Sequence, residues 1–235
     1  MGSNILRSIL ERVQGGVEDD PVVIFDLDST LFSTRERSFF ILTEAAKVYP
    51  ALAPVLAKLH PRKMRWRFIE DIREAGLADD DLLQKIERFW MERFFTSAYL
   101  VHDRPMPGAV EYVRAVHDAG ARICYLTGRD FPNMSRGTID SLRRYGFAYG
   151  EAGVELIMKA NFEQLDEEHK RDSMARVRAL GHVVAAFDNE PELVNLFVDS
   201  FPDATVVLFD SMHSPTKVSP YASVRKIGAF EIGAG

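Results

Sequence analysis

The chain has 235 residues, 46% of them hydrophobic and 27% charged, which is enough for one large globular domain or a domain carrying an insertion. A formal net charge of −6 supplies no global field for nucleic acid or an anionic membrane surface, and the single cysteine, Cys124, excludes an internal disulfide framework. No segment reaches the roughly 18 apolar residues of a membrane span, and the N-terminus lacks the apolar centre of a signal peptide, so a cytoplasmic protein is expected.

Residues 4–14, NILRSILERVQ, set Ile5, Leu6, Ile9, Leu10 and Val13 at helical spacing, which predicts a short amphipathic helix packed on the body. Five apolar runs read as strands: PVVIFD (21–26), ARICYLT (121–127), VELIM (154–158), HVVAAFD (182–188) and ATVVLFD (204–210). They are continuous rather than alternating, as parallel strands covered on both faces should be. Roughly 90 residues separate the first run from the second, far more than a crossover needs. Most of residues 33–106 reads as helix, with Trp66, Phe68, Phe89, Trp90, Phe94 and Phe95 giving it apolar faces. Pro50, Pro54, Pro61 and the acidic turn Asp79–Asp81 interrupt it. This is a helical insertion with its own small core, and the aromatic residues of 89–95 are expected in that core rather than on a stacking platform.

Further helices are expected at 107–119, opened by Pro107 and stopped by Gly120, at 166–180, with Asp166 as N-cap and Gly181 beyond, and at 190–200. Strand–helix alternation of this kind means an open α/β sheet with right-handed crossovers. The tail after Asp210 reads as loop, with Pro215, Pro220 and a final Gly-Ala-Gly. Cys124, inside an apolar run, reads as a buried inert thiol. The basic run KLHPRKMRWRF (58–68) reads as a solvated helix face, or else as a surface that meets an anionic leaving group. The six histidines lack the paired spacing of a zinc site.

The chemistry gathers where strands end. Run one ends in Asp26, with Asp28 just beyond; run two ends in Thr127 of LTGRD; run four ends in Asp188 of FDNEPE. Open parallel sheets bind ligands beyond the carboxyl ends of their strands, at the point where strand order reverses, so placing run one between runs two and four unites these residues. Converging carboxylates invite a hard divalent cation, and oxygen ligands favour Mg2+. Phosphoryl transfer through an aspartyl phosphate fits this set. Asp26 is the candidate nucleophile, and Asp28 can protonate the leaving oxygen and then activate water. Thr127 offers a hydroxyl to a phosphoryl oxygen, and a lysine with Mg2+ neutralises the equatorial charge.

FDLDSTLF resembles the first motif of the haloacid dehalogenase superfamily, an apolar run followed by DxDx[TV]; LTGR resembles the second motif and FDNEPE the acidic fourth. The resemblance implies a Rossmann-like open parallel sheet with strand order 5-4-1-2-3, helices on both faces and a helical cap inserted after strand 1. Residues 1–32 and 103–235 would form the core, and 33–102 the cap. It implies Mg2+ held by Asp26, Asp28 (through its backbone carbonyl) and Asp188, with Asn189 and Glu192 as a further ligand and a supporting partner. Thr127, Gly128 and Arg129 would face the phosphate, although Arg129 reads equally well as a surface residue. The third-motif lysine is Lys170, in a layout similar to polynucleotide phosphatases of the superfamily, or Lys159, which directly follows strand three. The expected activity is phosphate monoester hydrolysis on a small phosphorylated substrate, with nucleic acid disfavoured. Phosphotransfer, C–halogen hydrolysis and non-catalytic phospho-ligand binding are the alternatives. Oligomeric state stays open.

Overall fold

Apolar patterning and both-sided burial agree from the first elements onward in the computed structural model, which describes residues 2–16, 19–215 and 217–232. The terminal Gly-Ala-Gly lies outside the described residues. Helix α1 (Gly2–Gln14) buries Leu6, Ile9 and Val13, the stripe its spacing dictates. In strand β1 (Pro21–Phe25), Val22 and Ile24 enter one apolar cluster while Val23 and Phe25 enter another on the opposite face. That is why the run is continuous. Helix α1 and the helix at Ala109–Asp118 cover the first cluster, and the helices at Asp166–Arg178 and Pro191–Ser200 cover the second.

Beyond β1 the chain folds back on itself. The Leu27 carbonyl accepts backbone N–H groups from Thr30, Leu31 and Phe32 at 3.2, 2.9 and 2.8 Å, and Ser29 adopts φ +62° to close the turn. Strand β2 (Phe32–Ser33) follows. Then come α2 (Arg35–Val48), α3 (Ala53–Leu56), α4 (Phe68–Glu74) and α5 (Asp80–Phe94), before β3 (Arg104–Pro105) returns to pair antiparallel with β2. The helices between β2 and β3 share a third apolar cluster built from residues 42–86, including Leu42, Leu52, Phe68, Ile72 and Ile86. Asp79 caps α5 by accepting from the Leu82 amide at 3.0 Å. The basic run 58–68 is not a helix face: it forms a 3-10 turn at Pro61–Lys63 followed by bends.

The remaining elements are α6 (Ala109–Asp118), β4 (Arg122–Asp130), α7 (Phe131–Tyr145), β5 (Val154–Lys159), α8 (Asp166–Arg178), β6 (His182–Asp188), α9 (Pro191–Ser200), β7 (Thr205–Phe209) and β8 (Arg225–Ile227). The six-stranded sheet runs β5-β4-β1-β6-β7-β8, all parallel, so the five anticipated strands take the anticipated order. The difference is at the edge: the tail is not all loop, because Arg225–Ile227 adds a sixth strand beside β7. Three further departures are local. Strand β4 does not stop at Thr127 but continues, after a register shift, to Asp130 opposite Lys159. Helix α7 follows at once, capped by Asp130, whose carboxylate accepts from the Asn133 amide at 2.9 Å. Asp166 is not the N-cap of α8; Leu165 holds that position and Asp166 is the first helical residue.

Candidate active site

β1 lies between β4 and β6, with Phe25 opposite both Tyr125 and Phe187, so the carboxyl ends of three strands open into one space. The Asp26 amide donates to the Phe187 carbonyl at 3.0 Å, which carries the ladder one residue past β1 and fixes the aspartate beside Asp188. From α8, Lys170 donates through Nζ to Asp26 Oδ1 at 2.8 Å and Asp188 Oδ2 at 2.6 Å. All three side chains are buried. One ammonium serving two carboxylates leaves a surplus negative charge. Burial first, and then the neighbouring Asp188, push the Asp26 carboxyl up to about 7 against the pull of Lys170. The lysine itself is held protonated above its ordinary range: burial works against its charge, and Asp188 and Asp26 outweigh burial. The backbone amide of Glu190 donates to Asp188 Oδ1 at 2.9 Å and orients that carboxylate.

Asp28 faces the other way. Its Oδ1 accepts from Arg37 Nη2 at 3.0 Å, from Arg129 Nε at 3.0 Å, and from Arg129 Nη2. Both guanidinium groups also bind Asp103, from Arg37 Nε at 2.7 Å, Arg37 Nη2 at 3.0 Å and Arg129 Nη2 at 2.8 Å. Arg37 is further held by the Phe94 carbonyl at 3.0 Å and lies over the Phe94 ring. Enclosure opposes ionisation of Asp28, but Arg129 and then Arg37 outweigh it and draw its carboxyl down to about 2. Asp103 is more deeply enclosed, and burial lifts its carboxyl to about 6 despite the same two cations. Arg37 comes from α2, Asp103 from the segment before β3, and Arg129 from β4, so the cluster ties the inserted helices to the sheet.

The other anticipated residues fall out as follows. Thr127 and Gly128 line the same cavity as Asp26, Asp28, Lys170 and Asp188, and Thr127 Oγ1 accepts from the Arg129 amide at 3.2 Å. Arg129 is buried, so it is no surface arginine. Gly128 leaves room for the Asp166 carboxylate: a Cβ there would stand 2.3 Å from it and that half-exposed side chain would have to swing away. Lys159 reaches the cavity too, but its ammonium is engaged by Asp166 at 2.9 Å and by the Gln164 carbonyl at 3.0 Å, which leaves Lys170 as the lysine between the two acids. Asn189 also lines the cavity; its Oδ1 accepts from Thr30 Oγ1 at 3.1 Å and its Nδ2 donates to the Met212 carbonyl at 2.8 Å. Glu192 is not brought in: it is exposed on α9 and absent from the cavity wall, where Glu190 stands instead. Sequence reasoning missed Arg37 and Asp103. Arg37 had a signal, since it stands in the i, i+4, i+8 register of the buried Ile41 and Ala45. Asp103 had none.

The sequence profile of the haloacid dehalogenase-like hydrolases matches residues 21–191, which spans β1 through the start of α9. No functionally curated protein matches the chain. Among solved structures, Protein Tyrosine Kinase A (PtkA) of Mycobacterium tuberculosis is 17% identical with a TM-score of 0.58, the match covering 91% of this chain and 95% of that one. The haloacid dehalogenase-like family protein SP0104 of Streptococcus pneumoniae is 9% identical with a TM-score of 0.53, over 87% and 92% of the two chains. CbbY of Rhodobacter sphaeroides, captured with phosphate, is 16% identical with a TM-score of 0.50, over 90% and 96%. At these identities the structural matches speak for the fold alone. The profile, covering well over half of the sequence and every motif that meets in the cavity, carries the assignment: the chain belongs to the haloacid dehalogenase-like hydrolases.

Proposed function

We propose that this protein is a Mg2+-dependent phosphatase that hydrolyses a phosphate monoester through a phosphoenzyme formed on Asp26. The observation that carries the reading is the buried Asp26–Lys170–Asp188 group at the ends of β1 and β6, with Thr127 beside it in one cavity. Asp26 Oδ attacks phosphorus, and the bond to the ester oxygen breaks as Asp28 delivers a proton to that oxygen. Water then attacks the aspartyl phosphate, giving its proton to Asp28 and releasing inorganic phosphate. The Thr127 hydroxyl and the Lys170 ammonium stabilise charge on the phosphoryl oxygens. In the arrangement observed, two arginines hold Asp28 ionised, so before it can protonate a leaving oxygen it must release at least one guanidinium contact and take up a proton from solvent or from the phosphate monoanion of the substrate. The inserted helices would form the cap that covers the site and excludes water.

The residues present fit a hard divalent cation. Asp26 and Asp188 carry one more negative charge than Lys170 neutralises, and among the described residues no third His, Cys, Asp or Glu side chain completes a protein-only cage. That is the donor economy of Mg2+, which takes one or two carboxylates and fills the rest of its sphere with water and phosphate oxygen. Asp26, Asp188 and the backbone carbonyl of Asp28 would hold it. Bound there, it would neutralise phosphoryl charge and let Asp26 stay ionised. The capture of phosphate in the similarly folded CbbY supports a phosphate-handling reading. The test is Asp26→Asn, assayed on a generic aryl phosphate with Mg2+. Turnover should fall to background with the fold intact by circular dichroism, and activity near wild type would eliminate the nucleophile assignment.

A further inference from the structure

The cavity over Asp26 measures about 700 Å³, many times what a phosphoryl group fills and within the range of small-molecule sites. Its lining is of two kinds. The residues at the strand ends are ionic, as described above. The inserted helices, with the bend before α4 and the residue after α5, add Trp66, Phe68, Trp90, Met91, Phe94 and Phe95. The rings form a continuous ladder, with Phe68–Trp90 centroids 4.9 Å apart, Trp90–Phe94 4.3 Å and Phe94–Phe95 4.9 Å. Phe162, on the loop between β5 and α8, extends it across the gap at 5.0 Å from Phe95.

Most polar groups of this wall are engaged among themselves, with the Glu87 carboxylate as the exception among the described residues. Trp90 Nε1 donates to Ser38 Oγ at 3.2 Å. Arg65 is paired with Asp71 at 2.5 Å and Glu74 at 2.8 Å, Arg67 with Glu70 at 3.4 Å, and Arg35 Nε donates to the Met64 carbonyl at 3.0 Å. Apart from Glu87 and the half-exposed Arg65 and Arg67 pairs, what faces a ligand is aromatic and thioether surface, and 51% of Trp66 and 43% of Met91 stand exposed. A polyhydroxylated body placed here would lose more hydration than these few groups return, whereas a flat apolar body would gain contact and lose only unfavourable water.

We infer that the substrate is a phosphate monoester whose leaving alcohol carries an aromatic or similarly flat apolar body, seated against the Trp66–Trp90–Phe95 wall, and not a sugar phosphate. This rests on the phosphatase reading for the ionic end, and the experiment separates the two. Steady-state kinetics would compare 2-naphthylmethyl phosphate, ethyl phosphate and glucose 6-phosphate, all esters of alcohols with similar acidity, so that differences report binding rather than leaving-group quality. The expected kcat/KM for the naphthylmethyl ester is at least tenfold above both others, carried mainly by KM, and Trp66→Ala should shrink the naphthylmethyl-to-ethyl ratio at least fivefold. Calorimetric titration with 2-naphthylmethylphosphonate and methylphosphonate, neither of which can be hydrolysed, reads the wall without any turnover, and the naphthyl compound should bind at least tenfold more tightly. Turnover without naphthyl preference, or equal affinity for the two phosphonates, overturns the inference while the phosphatase reading stands. Preferential binding of the naphthyl phosphonate without turnover of any ester upholds the wall and overturns the phosphatase reading.

Discussion

The cluster Asp28–Arg129–Asp103–Arg37 holds two charges of each sign in a nearly closed space, with Arg37 and Asp103 fully buried. Replacing Asp103 by Asn keeps the shape but removes one negative charge, leaving two guanidinium groups to share Asp28. Breaking a wholly favourable buried pair costs roughly 3–5 kcal/mol, but burial already penalises the Asp103 charge, so the loss here should be smaller, about 1–3 kcal/mol. For a domain of this size each kcal/mol moves the midpoint by about 2–4 °C, so Asp103→Asn should lower Tm by roughly 2–12 °C. Arg37→Met should cost a similar amount. The double variant Arg37→Met/Asp103→Asn removes one charge of each sign, retains the Asp28–Arg129 pair and restores neutrality. It should therefore be more stable than the two single losses add up to, by a coupling of roughly 1–3 kcal/mol. Thermal unfolding of the four proteins at pH 7.5 followed by circular dichroism supplies the cycle. Single-variant costs below about 1 kcal/mol, the range of exposed pairs, or strict additivity in the double, would show that the cluster is not the closed ionic unit described.

Stability of the metal-free protein should depend on pH in a defined direction. Asp26 and Asp103 titrate higher folded, at about 7 and about 6, than unfolded, near 3.8, so the native state binds more protons and both groups favour folding below about pH 4. That advantage is lost as pH rises through 6 and 7, by about 4 kcal/mol for Asp26; Asp28, drawn down to about 2, acts oppositely and costs stability only as pH falls below about 4. In EDTA, Tm should fall between pH 5 and pH 8, and Asp26→Asn should flatten the slope; an unchanged slope would refute the assignment of the surplus charge. Gly128→Ala should displace the half-exposed Asp166 carboxylate and loosen its 2.9 Å pairing with Lys159, at a cost below about 1 kcal/mol in stability, while the added methyl, on the cavity wall beside Thr127, should lower kcat/KM at least tenfold; wild-type kinetics would show that the close approach is unimportant. Cys124, buried with its thiol pushed up to about 12, should resist iodoacetamide in the native protein and react at once in denaturant, as mass spectrometry can count.

What the chain states locally, it states clearly. Acids at the ends of Val-Val-Ile-Phe and Val-Ala-Ala-Phe, where a buried strand should stay apolar, have no good structural explanation, and they meet at Lys170 as strand-end logic requires. Strand β8 hides for the opposite reason. Two of its three residues are charged and exposed, as an edge strand tolerates, so Arg225–Ile227 shows no apolar run. The extension of β4 to Asp130 is masked by Gly128 and Arg129, which read as a turn until a register shift accommodates them. Helix α7 is obscured by Pro132 at its start and Gly137 within it. That glycine is needed because a Cβ would meet the Ser97 carbonyl at 2.5 Å, a contact 40 positions away in sequence. The aromatic residues of α5 show how periodicity can mislead about role. One helical face fills a core and lines a cavity with the same residue types, and the split between buried Phe94 and half-buried Trp90 and Phe95 depends on where the sheet lies.

The two motif-one aspartates are identical in chemistry and two residues apart, yet their surroundings pull them to opposite ends of the carboxylate range. The backbone accomplishes this. Three amides converging on the Leu27 carbonyl, with Ser29 at positive φ, turn the chain so sharply that Asp26 looks toward β6 and α8 while Asp28 looks toward β4 and α2. Each acid therefore answers to a different part of the molecule. The partners of Asp26 are rooted in the sheet and its covering helix, so its environment is set by the fold itself. Asp28 is bound to Arg37 of the inserted helices, and Asp103, which links Arg37 to Arg129, sits where those helices rejoin the sheet. A shift of α2 relative to the sheet must stretch or release the Arg37 contact and so change the charge around Asp28, whereas among the described residues the Lys170 group makes no hydrogen bond or ion pair with α2. The connection between the inserted helices and the chemistry thus runs through the second aspartate, and the first feels it only through the charge of Asp28.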